Sequence, residues 1–247
     1  MKVLKNKLVL SITLMVLMAS FGYSQNETIS EITYKKKVGI AIDNSKLDEY
    51  TNNFMKEVIE HFDRIEYSLF FNNKKSIFKY NEMVNSEANQ SFTLEFAIGL
   101  GGGGEIVYMD NTLKKMITKE EVTSDIFLIT ETLDRKWILS NENKKIEQFN
   151  CLKATSSTEI ETVNGTVTKE VIAWYCPEIP VPFGPVGYGG LPGVILELQI
   201  GKFIFYSSKI ILKSKKNIKI IPPEKGYKIT REEFKNIQIN GFDQYRK

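Results

Sequence analysis

The sequence is poor in the side chains from which most enzyme active sites are built. It has one histidine, His61, and two cysteines, Cys151 and Cys176, among its 247 residues. A Ser-His-Asp or Cys-His site would need that one imidazole, and no His-x-x-x-His, His-Glu-x-x-His or Cys-x-x-Cys spacing occurs. Because His61 is followed by Phe62 and lies among acidic neighbours, we expect a solvated or helix-capping role for it. We expect no metal site and no cofactor.

The chain also lacks an apolar run long enough to cross a bilayer as a helix. The longest candidate, residues 8–18, has eleven residues, whereas a span needs about twenty. Three lysines precede this run and small residues follow it, which is the layout of a secretory signal peptide. The alternative is a buried N-terminal helix. We predict that residues 1–24 are a signal peptide and that residues 25–247 form a single β domain without a membrane span.

The sequence has no marked excess of either charge once that segment is set aside. Residues 1–24 contain three lysines and no acid, so their removal lowers the formal net charge from +3 to 0. A basic surface for nucleic acid is therefore not indicated, and we expect no nucleic-acid partner.

One amphipathic helix is predicted near the start of the mature chain, from about residue 46 to 62. Ser45 and Asp48 would form its capping box. Its apolar side chains recur at steps of three and four: Leu47, Tyr50, Phe54, Val58 and Phe62. A short second helix is expected at 229–237, with Thr230 and Glu233 as its capping box. The glycine-rich residues 99–104 are interpreted as a flexible connection.

Most of the remaining chain has the pattern of short strands joined by turns. The predicted strands cover residues 65–72, 75–82, 105–109, 112–118, 126–130, 135–140, 145–157 and 167–175. Strands joined by short turns form an antiparallel meander. The fold is therefore predicted to be mainly β, with the meander forming a curved, cupped sheet or partial barrel around one N-terminal amphipathic helix. A two-sheet β-sandwich is the alternative.

The two cysteines are predicted to form a disulfide. An even number of cysteines in an exported chain favours a bridge. A hairpin turn at Asn164-Gly165 would fold Cys151 back towards Cys176, within two positions of direct pairing. Two buried free thiols are the alternative.

The stretch WYCPEIPVPFGPVGYGGLPGVILEL (174–198) holds five of the seven prolines and five of the sixteen glycines. Prolines cannot donate to a sheet ladder, so residues 177–193, here named the Pro/Gly loop, should be rigid and extended outside the regular sheet. Such a loop can serve as a stiff crossover that seals the open side of the cup, or as a preformed binding surface for a ligand or partner. One loop can have both roles. The candidate ligand- or partner-binding residues are Ile179, Pro180, Phe183, Pro185, Tyr188, Gly190, Leu191, Pro192 and Gly193.

The same stretch resembles a known family. "YGGLPGVILEL" is similar to the signature of the GLPGLI family of exported Bacteroidota proteins, with Val194 in place of leucine. "RKWILSNENKKIEQFNCLKAT", "AWYCPEIPVPFGP" and "YKITREEF" resemble further segments of that family. The likeness covers residues 135–234. It implies export, a location in the periplasm, at the outer membrane or outside the cell, and a mostly β fold, but it implies no established function.

Two functions remain open from the sequence. The first is a non-enzymatic binding protein of the cell envelope that holds a peptide, lipid or protein partner at the Pro/Gly loop. The second is a hydrolase that uses a pair of carboxylates in the cup, because the sequence has thirty acidic residues and no spacing singles out one pair. The small number of catalytic side chains favours the binding protein.

Overall fold

The computed structural model describes residues 28–39, 48–82, 91–100, 102–122, 124–162, 165–214 and 218–240. The predicted signal peptide and the predicted capping residue Ser45 lie outside these residues. No helix in the described ranges is long and apolar enough to cross a membrane.

The described part of the chain is mainly β. In chain order the twelve strands are β1 Ile29–Val38, β2 Tyr67–Phe71, β3 Lys75–Tyr80, β4 Ile106–Asp110, β5 Lys115–Val122, β6 Asp125–Thr132, β7 Ile138–Ile146, β8 Phe149–Thr162, β9 Gly165–Cys176, β10 Val194–Ile200, β11 Phe203–Ser214 and β12 Tyr227–Thr230. All twelve belong to one hydrogen-bonded sheet with the order β12-β6-β5-β4-β3-β2-β1-β11-β10-β9-β8-β7. The two-sheet alternative is therefore not what the described strands form.

The strand order requires this sheet to curl. β6 and β7 follow each other in the chain but lie ten strand spacings apart in the sheet. Ten spacings would cover about 48 Å in a flat sheet. Only residues 133–137, here named the strap, join the two strands, and six residue steps reach at most about 21 Å. The sheet must therefore curve until β6 and β7 face each other across a gap, which fits the predicted cup.

Three helices accompany the sheet in the described ranges: α1 Glu49–His61, α2 Phe92–Gly99 and α3 Arg231–Asn240. α1 begins after Asp48, whose carboxylate accepts a hydrogen bond from the Thr51 N–H at 2.9 Å. Val58 and Phe62 of the predicted apolar stripe are buried. Tyr50, which the stripe also includes, is 81% exposed, so the buried face of the helix does not extend to it.

α2 was not predicted, and it explains where α1 packs. The ring of Phe54 on α1 lies 6.0 Å from that of Phe92 and 5.4 Å from that of Phe96, both on α2. Part of the α1 face therefore contacts a second helix instead of the sheet. α2 ends at Gly99, the first residue of the glycine-rich segment that the sequence indicates as a connection.

A buried lysine ties α2 to the sheet. Lys36 on β1 is 1% exposed, and its Nζ donates to the carbonyl oxygens of Ala97, Ile98, Leu100 and Gly102 at 2.7–3.3 Å. The last carbonyls of a helix have no partner within the helix, so this ammonium group supplies their missing donor. The rings of Phe62, Tyr67 and Phe205 surround it at 4.9–5.5 Å.

α3 begins as the sequence predicted. The Thr230 N–H donates to the Glu233 carboxylate at 2.7 Å, and the Glu233 N–H donates to the Thr230 hydroxyl at 3.2 Å. This reciprocal pair is a capping box and is confirmed. α3 packs on β6 through a small hydrophobic cluster of its own, Phe127, Ile129, Phe234 and Ile237, which is separate from the main core.

Candidate functional site

The concave side of the sheet holds two adjoining cavities. One has a volume of about 770 Å³ and lies beside the strap, and the other has a volume of about 600 Å³ and extends towards α3. Both are lined by Met116, Glu131, Arg135 and Gly187, so they form one continuous space, here named the cup cavity. A space of this size suits a small ligand or a few residues of an extended peptide.

The walls of the cup cavity come from strands on both sides of the curled sheet. β5 contributes Met116, Thr118 and Glu120, which are spaced by two and therefore point to the same face. The opposite wall includes Lys169 on β9 and Ile200 on β10. Strands that lie far apart along the sheet thus line one space because the sheet curves.

Carboxylates and one guanidinium group converge on the α3 side of this cavity. Arg231 Nη2 lies 2.7 Å from Glu131 Oε2, and Arg231 Nη1 lies 3.9 Å from Glu120 Oε2. Burial, together with nearby Glu105 and Glu131, raises the pKa of Glu120 to about 7, although Arg231 opposes the rise. Glu120 can therefore hold or release a proton near neutral pH, as a general acid or base must.

The Pro/Gly loop folds inward and forms the floor of the cup cavity. Its backbone is hydrogen-bonded from Gly190 N–H to Pro182 O at 3.0 Å and from Ile195 N–H to Phe183 O at 2.9 Å. A side chain at Gly193 would collide with the backbone of Cys176, so this approach requires glycine. Val186, which lines the cavity, has a φ of 55°, an unusual conformation for a β-branched residue.

The predicted binding surface consists of nine residues of this loop, and the structure buries most of them. The candidates that are buried are Ile179, Phe183, Pro185, Tyr188, Leu191 and Gly193. Pro180, Gly190 and Pro192 are exposed. The apolar side chains between the prolines enter the core because the loop crosses the open side of the curled sheet, where no strand covers it. The loop seals the core, and only its inner segment 186–190 faces the cup cavity.

The strap is fixed on that inner segment. Trp137 Nε1 donates to the carbonyl oxygen of Gly189 at 2.8 Å, and its ring contacts Tyr188 edge-on with centroids 6.5 Å apart. The guanidinium of Arg135 lies 4.2 Å from the centre of the Tyr188 ring. These contacts hold the floor and the strap in one arrangement.

The histidine lies away from this cavity, between α1 and α2. His61 Nε2 is 3.1 Å from the Thr93 hydroxyl, and Thr93 donates to Glu57 Oε1 at 2.7 Å. Glu57 lies 4.0 Å from the same Nε2 atom, so it is not placed to orient the imidazole from its other nitrogen, as in a catalytic triad. The group joins the two helices, which differs from the solvated or helix-capping role expected for His61.

The two cysteines face each other but are not bonded. The register of β8 with β9 pairs Leu152 with Tyr175 and Thr162 with Gly165, so Cys151 lies opposite Cys176. Both thiols are free and buried, and the predicted disulfide is not formed. Burial raises the pKa of the Cys151 thiol to about 12 and also raises that of Cys176, so neither is a ready nucleophile.

The charged residues of the cup cavity were not identified from the sequence. Glu120, Glu131, Arg135 and Arg231 come from two strands, the strap and a helix, so no local motif joins them. The available signal is the alternation along β5, in which Glu120 continues the inward row of Met116 and Thr118. A charged residue in such a row indicates a polar cavity instead of a closed core.

Comparison with known proteins gives a family match over part of the segment that carries the resemblance, and it gives solved structures with a similar fold. A family model described as "Protein of unknown function (Porph_ging)" matches residues 161–197, which extend from the end of β8 through the Pro/Gly loop into β10. The match is compatible with the GLPGLI resemblance but does not name that family. No curated protein matches the chain.

Solved structures share the fold at low sequence identity. One, described as "Structure of PNGF-II in C2 space group", has a TM-score of 0.53 and 13% identity over 86% of this chain and 33% of that chain. Another, "Structure of PNGF-II in P21 space group", has a TM-score of 0.54 and 13% identity over 86% of this chain and 34% of that chain. This chain therefore spans about a third of the length of those structures, and the likeness shows the fold alone.

Proposed function

We propose that this chain is an exported cell-envelope protein that binds a peptide, a lipid or a protein partner in the cup cavity without catalysing a reaction. The observation that supports this most is the strained Val186 on the cavity floor. Strained backbone costs about 1–3 kcal/mol and is concentrated at functional sites. Here the strained residue lines a cavity of about 600 Å³ that side chains do not fill.

The floor is suited to binding because it is rigid before any ligand arrives. Prolines fix φ at five positions of the Pro/Gly loop. Hydrogen bonds from Tyr188 N–H to Pro185 O and from Gly190 N–H to Pro182 O, both 3.0 Å, fix the segment between them. A ligand seated against 186–190 would therefore lose little affinity to ordering of the loop.

The proposal narrows the predicted binding region from the whole Pro/Gly loop to its inner segment, residues 186–190. The sequence pattern favoured binding at residues 177–193 as a whole. Six of the nine candidates are buried, but Tyr188, which is one of them, and the exposed Gly190 line the cup cavity. The loop still contributes to binding under this proposal, because its inner segment forms the floor of the cup cavity. Export remains part of the proposal and is supported by the resemblance to an exported family.

Replacing Met116 with tryptophan is expected to remove the ligand while leaving the fold intact. Met116 is half-buried and lines both cavities, so an indole at this position fills the space where they join. Overpacking costs about 1–3 kcal/mol, which a domain of this size can tolerate. Native mass spectrometry of the purified protein should detect bound material in the wild type and none in Met116→Trp.

The matched control is Lys115→Trp, one residue earlier on β5 and on the outward-facing row. It should keep the bound material and the circular dichroism spectrum of the wild type. If folded Met116→Trp retains the same bound mass as Lys115→Trp, the ligand does not occupy the cup cavity and the proposed function is wrong.

A second function, hydrolysis by a pair of carboxylates, is favoured by Glu120. Its raised pKa of about 7 and its position near Glu131 in one cavity give it the proton affinity of a general acid. A protonated Glu120 would donate to a leaving group, and Glu131, which is bound to Arg231, would supply the carboxylate partner.

Under this second function Glu120→Gln is expected to lower kcat about 100-fold or more, because the amide cannot transfer a proton. The wild-type rate should fall as the pH rises above about 7, where Glu120 loses its proton. Glu121→Gln is the matched control, since Glu121 is the exposed neighbour on β5. Ester, peptide and glycoside substrates provide the assay, and a wild type that hydrolyses none of them contradicts this function.

A further inference from the structure

β12 and α3 form a unit that packs against one end of the sheet, at β6 and β5. Among the described strands, β12 is an edge strand and pairs with β6 alone, in parallel register from Tyr227 with Phe127 to Thr230 with Thr130. α3 packs on β6 and β12 through the small cluster that includes Phe234 and Ile237. The main hydrophobic core contains no residue of this unit among its buried members. Residues 227–240 are here named the lid segment.

The lid segment also forms one wall of the cup cavity. Arg231, Phe234 and Gln238 line the cavity that extends towards α3. If the segment moved away from β6, this wall would be removed. The rest of the sheet would keep its pairing, because β12 is the outermost strand.

An ionic contact joins the lid segment to the two strands beside it. Arg231 bridges Glu131 on β6 at 2.7 Å and Glu120 on β5 at 3.9 Å. Arg231 is the first residue of α3 and directly follows Thr230 of the capping box. The contact therefore connects the start of the helix to two strands at once.

We propose that β12 and α3 open together as a lid on the cup cavity and that Arg231 holds the lid closed by bridging Glu120 and Glu131. Opening breaks the short pairing of β12 with β6, the small hydrophobic cluster between α3 and β6, and the ion pairs of Arg231. Global unfolding breaks the main core as well. Such units open locally at lower free energy than the whole domain. The gating role rests on the proposed binding function, but the opening itself does not.

Amide hydrogen exchange of the full chain without added ligand tests the opening. Amides of Ile229, Phe234 and Ile237 should exchange with one common protection factor, well below that of β10. Arg231→Gln should raise exchange across the lid segment roughly threefold to tenfold and leave β10 unchanged, since it removes one charge-assisted contact. Arg231→Lys should restore part of the protection.

Lys228→Gln is the matched control, because Lys228 is an exposed residue of β12 outside the Arg231 bridge. It should leave exchange in the lid segment unchanged. Protection that is high in β12 and falls along α3 would show fraying of a terminal helix and would overturn the proposal. Equal acceleration of the lid segment and β10 in Arg231→Gln would also overturn it, because the segment would then open only with the whole protein. Neither result depends on whether Met116→Trp loses a ligand.

Discussion

Replacing Phe183 with alanine is expected to lower the free energy of unfolding by about 3–5 kcal/mol. Phe183 has no exposed surface and lies in the main core, although its neighbours in sequence are loop residues. Its carbonyl oxygen accepts the hydrogen bond from Ile195 N–H at 2.9 Å, so the loop cannot easily collapse into the space that the ring leaves. Urea denaturation followed by circular dichroism measures the change.

The exposed residue Pro180 in the same loop provides the control for Phe183. Pro180→Ala should change stability by less than about 1 kcal/mol, since it removes little buried surface. A cost below about 1 kcal/mol for Phe183→Ala would mean that the loop does not seal the core. The inward orientation of the Pro/Gly loop would then be wrong.

Replacing Lys36 with methionine is expected to lower the free energy of unfolding by about 3 kcal/mol. Methionine keeps the apolar stem but removes the donor that four carbonyl oxygens share. Buried carbonyls without a partner cost about 1–3 kcal/mol each, and rearrangement of the end of α2 recovers part of that cost. Lys37→Met, at the exposed neighbouring position, should change stability by less than about 0.5 kcal/mol.

Lys36 should also give stability a distinct dependence on pH. Burial lowers its pKa from 10.5 to about 7, and Glu105 opposes this effect. Between those two values the unfolded chain binds more protons at this position than the folded chain does. The contribution of Lys36 to stability is therefore constant below pH 7 and increases from about pH 7 to 10.5. Chemical denaturation at pH 7, 8 and 9 should show this increase in wild type and Lys37→Met, and a curve without it in Lys36→Met.

The strand succession could be predicted from the sequence because each hairpin is local. Alternating residues and turn signals located β2, β3 and β6 within a few positions. α2 was missed because its apolar residues are spread around the helix, so no stripe with helical spacing distinguishes it from a buried strand or loop. The donor that satisfies the carbonyls at its end is Lys36, which lies more than fifty positions away in the chain.

The site was harder to predict than the fold because it depends on curvature. The sequence predicted that the Pro/Gly loop lies outside the regular strands. The pattern of prolines could not show that the side chains of Phe183 and Tyr188 are buried. Arg231 and Glu120 are 111 positions apart and become neighbours only after β12 pairs with β6. No spacing rule for motifs covers such a contact.

The order of the strands also has a consequence for how the chain is made. The sheet consists of one meander from β1 to β6 and another from β7 to β11, joined by the pairing of β1 with β11. Ser208 donates to the carbonyl oxygen of Thr33 across this joint, over a separation of 175 positions. Contacts of such long range form slowly. During synthesis β1 must therefore wait as an open strand edge, with Ile32 and Tyr34 uncovered, until β11 has left the ribosome, and in this interval the chain is most exposed to aggregation.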